Sequence, residues 1–179
     1  MSLVTRNEKG SALTYNELDG NFIYLNTVRW VHLKIENDSA TQTLVQGIAN
    51  AKLVEWNIQT HIDEIFVHNQ GQSNITITED GVYSIMANIA WDATVDSARD
   101  SAVVYLVVNG TPVESTSSIG YSRGNIYGDY HHNTVNTLLE LSANDEVEIG
   151  YYGENVDGGS NLKLEWCEFI VKHEGVASA

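Results

Sequence analysis

The sequence predicts an all-β protein, an antiparallel sandwich preceded by one short helix, and three observations support this prediction. Side chains alternate with a period of two from Val82 to Trp91, as in a β-strand, and neither face is strongly charged, so we expect both to be covered. About nine or ten short segments of this kind are separated by turn residues at a spacing of roughly 8–12 residues. The composition agrees, since 42% of the residues are hydrophobic and only 18% are charged.

Length and charge limit the classes of function. The 179 residues suffice for one good-sized core with a small appendage. The formal net charge is −15, from 24 acidic and 9 basic residues, which argues against a nucleic-acid partner because phosphate contacts need clustered lysine and arginine. It also argues against an anionic membrane surface, and no stretch is long and apolar enough to span a bilayer. The N-terminus lacks the apolar run of a signal peptide, so we expect synthesis and folding in a cytoplasm.

A short helix is predicted ahead of the sandwich. Thr14 and Glu17 have the Thr-x-x-Glu spacing of a capping box, in which each residue bonds the backbone of the other. Leu18, Phe22 and Leu25 follow at helical spacing and form one apolar stripe. Because a helix of about 13 residues is marginal alone, the stripe must pack on its own domain or meet two copies of itself in a short coiled coil.

The rest of the chain consists of predicted strands and turns. The first strand is 29–36, where Trp30, His32 and Lys34 alternate with apolar residues. Asn109-Gly110 is the strongest short hairpin signal in the chain. The other predicted strands are 41–46, 53–58, 62–68, 73–78, 82–91, 102–108, 111–115, 135–141, 146–152 and 162–173. The predicted loops are 92–100, 120–133 and 153–161. Cys167, the only cysteine, is expected to be a small core residue in the last strand.

The N-terminal 22 residues carry a resemblance to a known leader. The spacing of Arg6, Lys9, Gly10, Ser11, Leu13, Thr14, Leu18, Asp19, Asn21 and Phe22 resembles a short leader found in tailed-bacteriophage fibre and appendage proteins, with Ala12 where that leader usually has proline. The resemblance implies a virion structural protein whose N-terminus lies near its attachment point. Arg6, Lys9, Gly10 and Leu13 would then anchor the chain to other virion proteins.

A second resemblance covers residues 29–173. Four stretches occur in the order found in the TNF-like jelly roll, in its complement globular-head branch: Val54-Glu55-Trp56-Asn57, the Asp80-Gly81-Val82-Tyr83 strand entry, the Asn109-Gly110 hairpin, and Leu138 to Val147. Residues 166–171 stand where that family has its final aromatic strand, although Glu165-Trp166-Cys167-Glu168 depart from the usual pattern. This resemblance implies a homotrimer, which would give the helical stripe of Leu18, Phe22 and Leu25 its partners.

The richest candidate for recognition is the segment 120–133. Exposed tyrosine together with glycine, serine and asparagine is typical of adaptable binding surfaces. The candidate receptor-binding residues are Tyr121, Arg123, Tyr127, Tyr130, His131 and His132. The alternative is that these rings, with Tyr151 and Tyr152, lie in the core or at a subunit interface; the latter two cannot face the same way.

The histidines and carboxylates of the predicted loops are candidates for a metal or catalytic site, and the alternative is a plain polar surface. His131 and His132 with Asp129 have ligand chemistry, but adjacent strand residues point to opposite faces. Carboxylates near residues 153–159 could bind calcium. We expect no metal and no cofactor, and no enzyme, because the sequence has no nucleophile elbow and no phosphate-binding loop.

These observations combine into one prediction. Residues 1–28 form a virion-anchoring segment with a trimerising helix, 29–173 form a jelly-roll knob, and 174–179 form a flexible tail. The resemblances imply a phage tail fibre or spike, made in the host cytoplasm, whose knob adsorbs to a glycan or protein of the host surface. The alternatives are a capsid-attached head fibre or decoration (cement) protein, and a depolymerase.

Overall fold

The computed structural model describes residues 9–19, 28–36, 42–93, 99–123, 131–155 and 162–175, and confirms an antiparallel two-sheet sandwich with a short helix at 15–19. A 3-10 helix spans Ile48–Asn50. The strands in the described part are β1 Arg29–Glu36, β2 Lys52–Leu53, β3 Ile58–Ile62, β4 Phe66–Val67, β5 Ile75–Ile77, β6 Gly81–Ala93, β7 Arg99–Val108, β8 Thr111–Arg123, β9 His131–Leu141, β10 Glu146–Asn155 and β11 Leu162–Gly175.

The chain alternates between the two sheets, which is the arrangement of a jelly roll. One sheet has the order β3-β1-β11-β6-β9, and the other has the order β4-β5-β10-β7-β8, with β2 added beside β10. Along the chain, β5, β6 and β7 lie in alternate sheets, and so do β9, β10 and β11. Below, these are called the β6 sheet and the β7 sheet. Strands that follow one another in the chain therefore mostly lie in different sheets. The two sheets are held together by the side chains packed between them.

Strand β6 shows how the alternating sequence builds this core. Tyr83, Ile85, Ala87, Ile89 and Trp91 point between the sheets and are fully buried. The opposite side of the strand, including Met86 and Asn88, is only half-buried and forms the outward face of the β6 sheet. The expectation that both faces are covered therefore holds, within one chain, only for the inward face.

The predicted Asn109-Gly110 turn is confirmed by its backbone. Both residues have positive φ, 51° and 73°, which a type I′ hairpin turn requires and which asparagine and glycine tolerate best. The Asn109 side chain also donates to Asp145 Oδ1 at 2.8 Å and accepts from the Glu146 backbone N–H at 2.9 Å. The turn is thereby joined to the neighbouring turn that leads from β9 in one sheet to β10 in the other.

The predicted strand 41–46 is not a strand in the structure, and the predicted strand 53–58 is divided. Thr43 and Gln46 form isolated bridges to Lys163 in one sheet and Gly153 in the other, because this segment crosses between sheets. The Gln42 amide bonds both the N–H and the C=O of Glu55, at 2.8 and 2.7 Å, and so replaces strand pairing there. The side chains of Val54 and Trp56 fill the core beside it.

Three predicted loops and tails are shorter than expected. Strand β8 continues to Arg123 and β9 begins at His131, so both ends of the predicted loop 120–133 are strand. Strands β6 and β7 extend into 92–100, and β11 extends to Gly175, inside the predicted tail. The cause is that polar residues here pair with neighbours across the sheet, as in the registers Arg99–Arg123 and Trp91–His131.

The sandwich has two different ends. At the entry end, β1 begins at Arg29, which pairs with His173 of β11 and donates to Glu79 at 2.6 Å. At the opposite end, here called the distal end, four strand registers close the sandwich: Glu36–Trp166, Ala93–Leu162, Arg99–Arg123 and Ser101–Asn155. The N-terminal segment therefore joins the sandwich opposite the distal end.

Candidate functional site

The predicted recognition residues that the structure describes lie in different sheets. Tyr121 lies on β8, is 58% exposed, and belongs to the outward face of the β7 sheet. Arg123 ends β8 opposite Arg99. His131 and His132 begin β9, in the other sheet. Tyr127 and Tyr130 lie outside the described residues.

His131 and His132 point to opposite sides of the β6 sheet, as the strand period predicts. The His131 ring stacks on buried Trp91, with centroids 6.4 Å apart, and packs against Gly120, where an added Cβ would lie 2.6 Å from the imidazole. Among the described residues, neither of its ring nitrogens has a hydrogen-bond partner. Burial, with a smaller contribution from His132, lowers the pKa of His131 to about 4. The structure therefore places His131 between the sheets as a neutral ring, and His132 on the outward face.

The buried His131 predicts a loss of stability in acid. Its pKa is 6.5 in an ordinary environment and about 4 in the folded protein, so stability is complete above pH 6.5 and falls as the pH drops towards 4. Because part of the ring is exposed, solvent screening reduces the loss from this group to about 1–2 kcal/mol. We expect His131→Phe, which keeps a ring against Trp91, to reduce the difference between urea midpoints measured at pH 7.5 and pH 4.5.

The lowered pKa values of His32 and His173, each caused mainly by burial, act in the same direction and remain in the variant. His132→Phe serves as the matched control, because His132 is exposed. An unchanged pH dependence in His131→Phe would contradict the assignment.

Asn133 joins the two sheets at the distal end, and sequence reasoning missed it. It is fully buried, accepts from Trp91 Nε1 at 2.9 Å, and donates through Nδ2 to the backbone oxygen of Ser118 at 2.9 Å. These bonds connect β6, β9 and β8. The polar atoms of a buried asparagine need hydrogen-bond partners within the fold. These bonds therefore hold the two sheets together near the distal strand ends.

A groove of about 450 Å³ lies on the outward face of the β6 sheet, towards the distal end. It adjoins a β-bulge in β11, where the register with β6 shifts between Leu164 and Cys167, so that Glu165 and Trp166 both oppose Ala90. Trp166 is thereby left 53% exposed, and Cys167 returns to the core. The groove is lined by Lys34, Ile35, Glu36, Asn88, His132, Trp166, Cys167 and Glu168.

The polar groups of the groove are oriented by their neighbours. Lys34 Nζ lies 3.4 Å from Glu168 Oε1, across the β1–β11 register. The Thr134 hydroxyl donates to Asn88 Oδ1 at 3.0 Å, so Asn88 offers its Nδ2 hydrogens to a ligand. One lysine and two glutamates give the lining a formal net charge of −1. The groove therefore combines an exposed indole with donors and acceptors at low net charge.

The sequence contained one signal for this groove. Glu165 and Trp166 interrupt the alternation of the last strand, and Trp166 departs from the pattern of the TNF-like family. Cys167 is a core residue, as predicted, and burial raises the pKa of its thiol to about 12. The thiol therefore adds no reactive group to the groove.

The outward face of the β7 sheet is a second, more apolar surface. Tyr105 is 6% exposed and its ring lies 6.1 Å from that of Tyr152. Tyr151 points the other way, into the core, as expected for adjacent strand residues. Beside this pair, Ile119 is 64% exposed and Tyr121 is 58% exposed. Of the predicted recognition residues, Tyr121 is therefore available here.

The described part of the leader confirms the capping box. The Thr14 N–H donates to Glu17 Oε2 at 2.6 Å, and the Glu17 N–H donates to Thr14 Oγ1 at 3.3 Å. Lys9 forms an ion pair with Glu17 and, together with the Thr14 bonds, lowers the pKa of Glu17 to about 2. Gly10 has a φ of 69°, a conformation that favours glycine.

Among the described residues of the N-terminal segment, the apolar side chains are only partly covered by the chain itself. Leu13 is half-buried, and Leu18, the first residue of the predicted stripe, is 49% exposed. Arg6, Phe22 and Leu25 lie outside the described residues. The stripe, where it is described, is therefore available to a partner.

The described ranges contain no group of metal-ligating side chains and no helix able to span a membrane. No three His, Cys, Asp or Glu side chains come together there in a way that would hold a metal ion. The possible calcium segment 153–159 is described only to residue 155. No helix in the described part has the length and apolar character needed to cross a membrane.

Comparisons with known proteins show the fold. No family model matches the sequence, and no curated protein matches it. Among solved structures, the chain is similar to the globular domain of the zebrafish complement 1qA protein, with a TM-score of 0.55 and 12% sequence identity. The match covers 83% of this chain and 99% of that domain. The predicted complement-head type of jelly roll is therefore confirmed as the fold, and at this identity the likeness shows the fold alone.

Proposed function

We propose that this chain is the trimeric receptor-binding knob of a tailed-phage fibre or spike, attached through its N-terminal leader. The observation that supports this most is that the N-terminal segment and the predicted recognition segment lie at opposite ends of the sandwich. The leader joins the sandwich at Arg29, whereas the strand ends that flank the predicted recognition segment, Arg123 and His131, lie at the distal end. A fibre tip needs this arrangement, because attachment and adsorption must occur at opposite ends.

The trimer is supported by apolar side chains that one chain leaves partly uncovered. On the outward face of the β6 sheet, Met86 and Ile170 are register partners and both are half-buried. Leu138, on the neighbouring β9, is 61% exposed. Together with Leu18 of the leader, these residues would be covered by two further copies. Three knobs would also compensate for weak single sites through multivalency.

The proposed activity is binding, not catalysis. A trimer would carry 3 × (−15) = −45 formal charges, so adsorption would depend on specific contacts and not on bulk attraction to an anionic surface. The predicted receptor is a glycan or protein of the host surface. If the chain were instead a depolymerase, incubation with host polysaccharide would release sugars.

Competition for host cells tests the adsorption role. Full-length chain added before the phage that encodes it should slow adsorption in proportion to its concentration, since both would occupy the same receptor. Heat-denatured chain at the same concentration is the control. Undiminished adsorption at saturating chain would contradict the proposal.

Position on the virion separates this proposal from its alternative. Gold-labelled antibody against the chain should mark the tail of intact particles. Labelling over the capsid surface would instead support a head fibre or decoration protein, and would overturn the tail-fibre assignment.

A further inference from the structure

We propose that the groove beside Trp166 is a binding site for a neutral saccharide. This inference rests on the proposed adsorption role and names the site and ligand class for it. It uses described residues only, and it places the contact on the outward face of the β6 sheet, not on the predicted segment 120–133.

The bulge in β11 exposes the aromatic ring on which a sugar would stack. Without the register shift between Leu164 and Cys167, strict alternation would have turned Trp166 inwards; with it, 53% of the side chain is exposed. An exposed indole next to a groove presents a flat apolar surface, on which the C–H face of a sugar ring can stack. Bulges commonly redirect a side chain in this way next to binding sites.

The surrounding groups fit the edge of a sugar. A hydroxyl both donates and accepts, so a polyol needs donors and acceptors at short range. Glu36 and Glu168 supply carboxylate acceptors, Lys34 and Asn88 Nδ2 supply donors, and His132 can act as either. Thr134 fixes the Asn88 amide, and Lys34 restrains Glu168, so part of the polar lining is oriented before a ligand binds.

Charge and size select the class of saccharide. The lining has one lysine and two glutamates, a net charge of −1, and the chain as a whole carries −15, so sialylated, sulfated or phosphorylated sugars would be repelled. A volume of about 450 Å³ lies in the lower part of the range of small-ligand pockets, roughly 300–1,000 Å³. This size suits one or two sugar rings.

Saturation-transfer NMR on the full chain tests the site, with a panel of neutral hexose and N-acetylhexosamine disaccharides and their sialylated and sulfated counterparts as probes. We expect signals from at least one neutral disaccharide and none from the charged ones. Trp166→Ala should weaken that binding roughly tenfold or more, and Glu168→Gln should weaken it less. Tyr121→Ala, an exposed aromatic on the other sheet, is the matched control and should bind as the wild type does.

Several outcomes would overturn the proposal. They are no binding of any neutral disaccharide, binding that Trp166→Ala leaves unchanged, or a loss confined to Tyr121→Ala. Light scattering on Trp166→Ala gives a further one, because a trimer that dissociates in this variant would make the groove a subunit contact. The cell-competition assay separates the groove from the knob. If the Trp166→Ala chain competes as well as the wild-type chain does, the groove is refuted and the knob is supported. Chain that binds the disaccharide yet fails to compete refutes the adsorption role alone.

Discussion

Replacing Tyr83 by alanine is expected to lower the free energy of unfolding by about 3–5 kcal/mol, the cost of removing a large aromatic side chain from a packed core. Tyr83 is fully buried on β6, and its ring packs edge-on against Phe66 and His173 at 6.0 and 5.0 Å. Its hydroxyl donates to the Glu79 backbone oxygen at 2.6 Å. The change therefore leaves a cavity and removes a hydrogen bond at the entry end.

Two variants separate these contributions. Tyr83→Phe removes only the hydroxyl and should cost about 1 kcal/mol. Ile119→Ala, at a position 64% exposed on the β7 sheet, should change stability by no more than about 0.5 kcal/mol. Urea unfolding at one protein concentration measures all three, because the stability of an oligomer depends on concentration. A cost for Tyr83→Ala as small as that of Ile119→Ala would show that the residue is not in the core.

The features predictable from the sequence were those set by local chemistry. The alternation from Val82 to Trp91 predicts that Tyr83 and Ile85 share one face, and the structure buries that face. Asn109-Gly110 predicted its turn because few other residue pairs tolerate positive φ at both positions. Thr14 and Glu17 predicted their capping box because both of its hydrogen bonds join residues within one helical turn.

The features that could not be predicted depend on contacts between distant residues. The Gln42 side chain bonds the backbone of Glu55 in place of a neighbouring strand, and no sequence feature near either residue predicts this contact. Asn133 resembles any polar strand residue until Trp91 and Ser118 are placed beside it. The glycine, tyrosine and aspartate residues around His131 predict a surface loop, yet the register with Trp91 turns its side chain inwards. The groove likewise needs β1, β6, β9 and β11 side by side.

Replacing Met86 or Ile170 by glutamate is expected to convert the proposed trimer into monomers. The two residues are register partners in the middle of the outward face of the β6 sheet. If three copies meet there, each substitution introduces three carboxylates into the apolar contacts, and burying an unpaired charge costs several kcal/mol per ion. Light scattering should therefore report the chain mass of 19.8 kDa in place of three times that value.

The fold of each knob should survive these changes, because Met86 and Ile170 point away from the core between the sheets. Circular dichroism should thus show the wild-type strand signal in both variants. Ile119→Glu, on the outward face of the β7 sheet, is the matched control and should remain trimeric. If the trimer persists in Met86→Glu and Ile170→Glu but dissociates in Ile119→Glu, the subunit contact lies on the β7 sheet instead. A wild-type chain that is monomeric would refute the trimer itself.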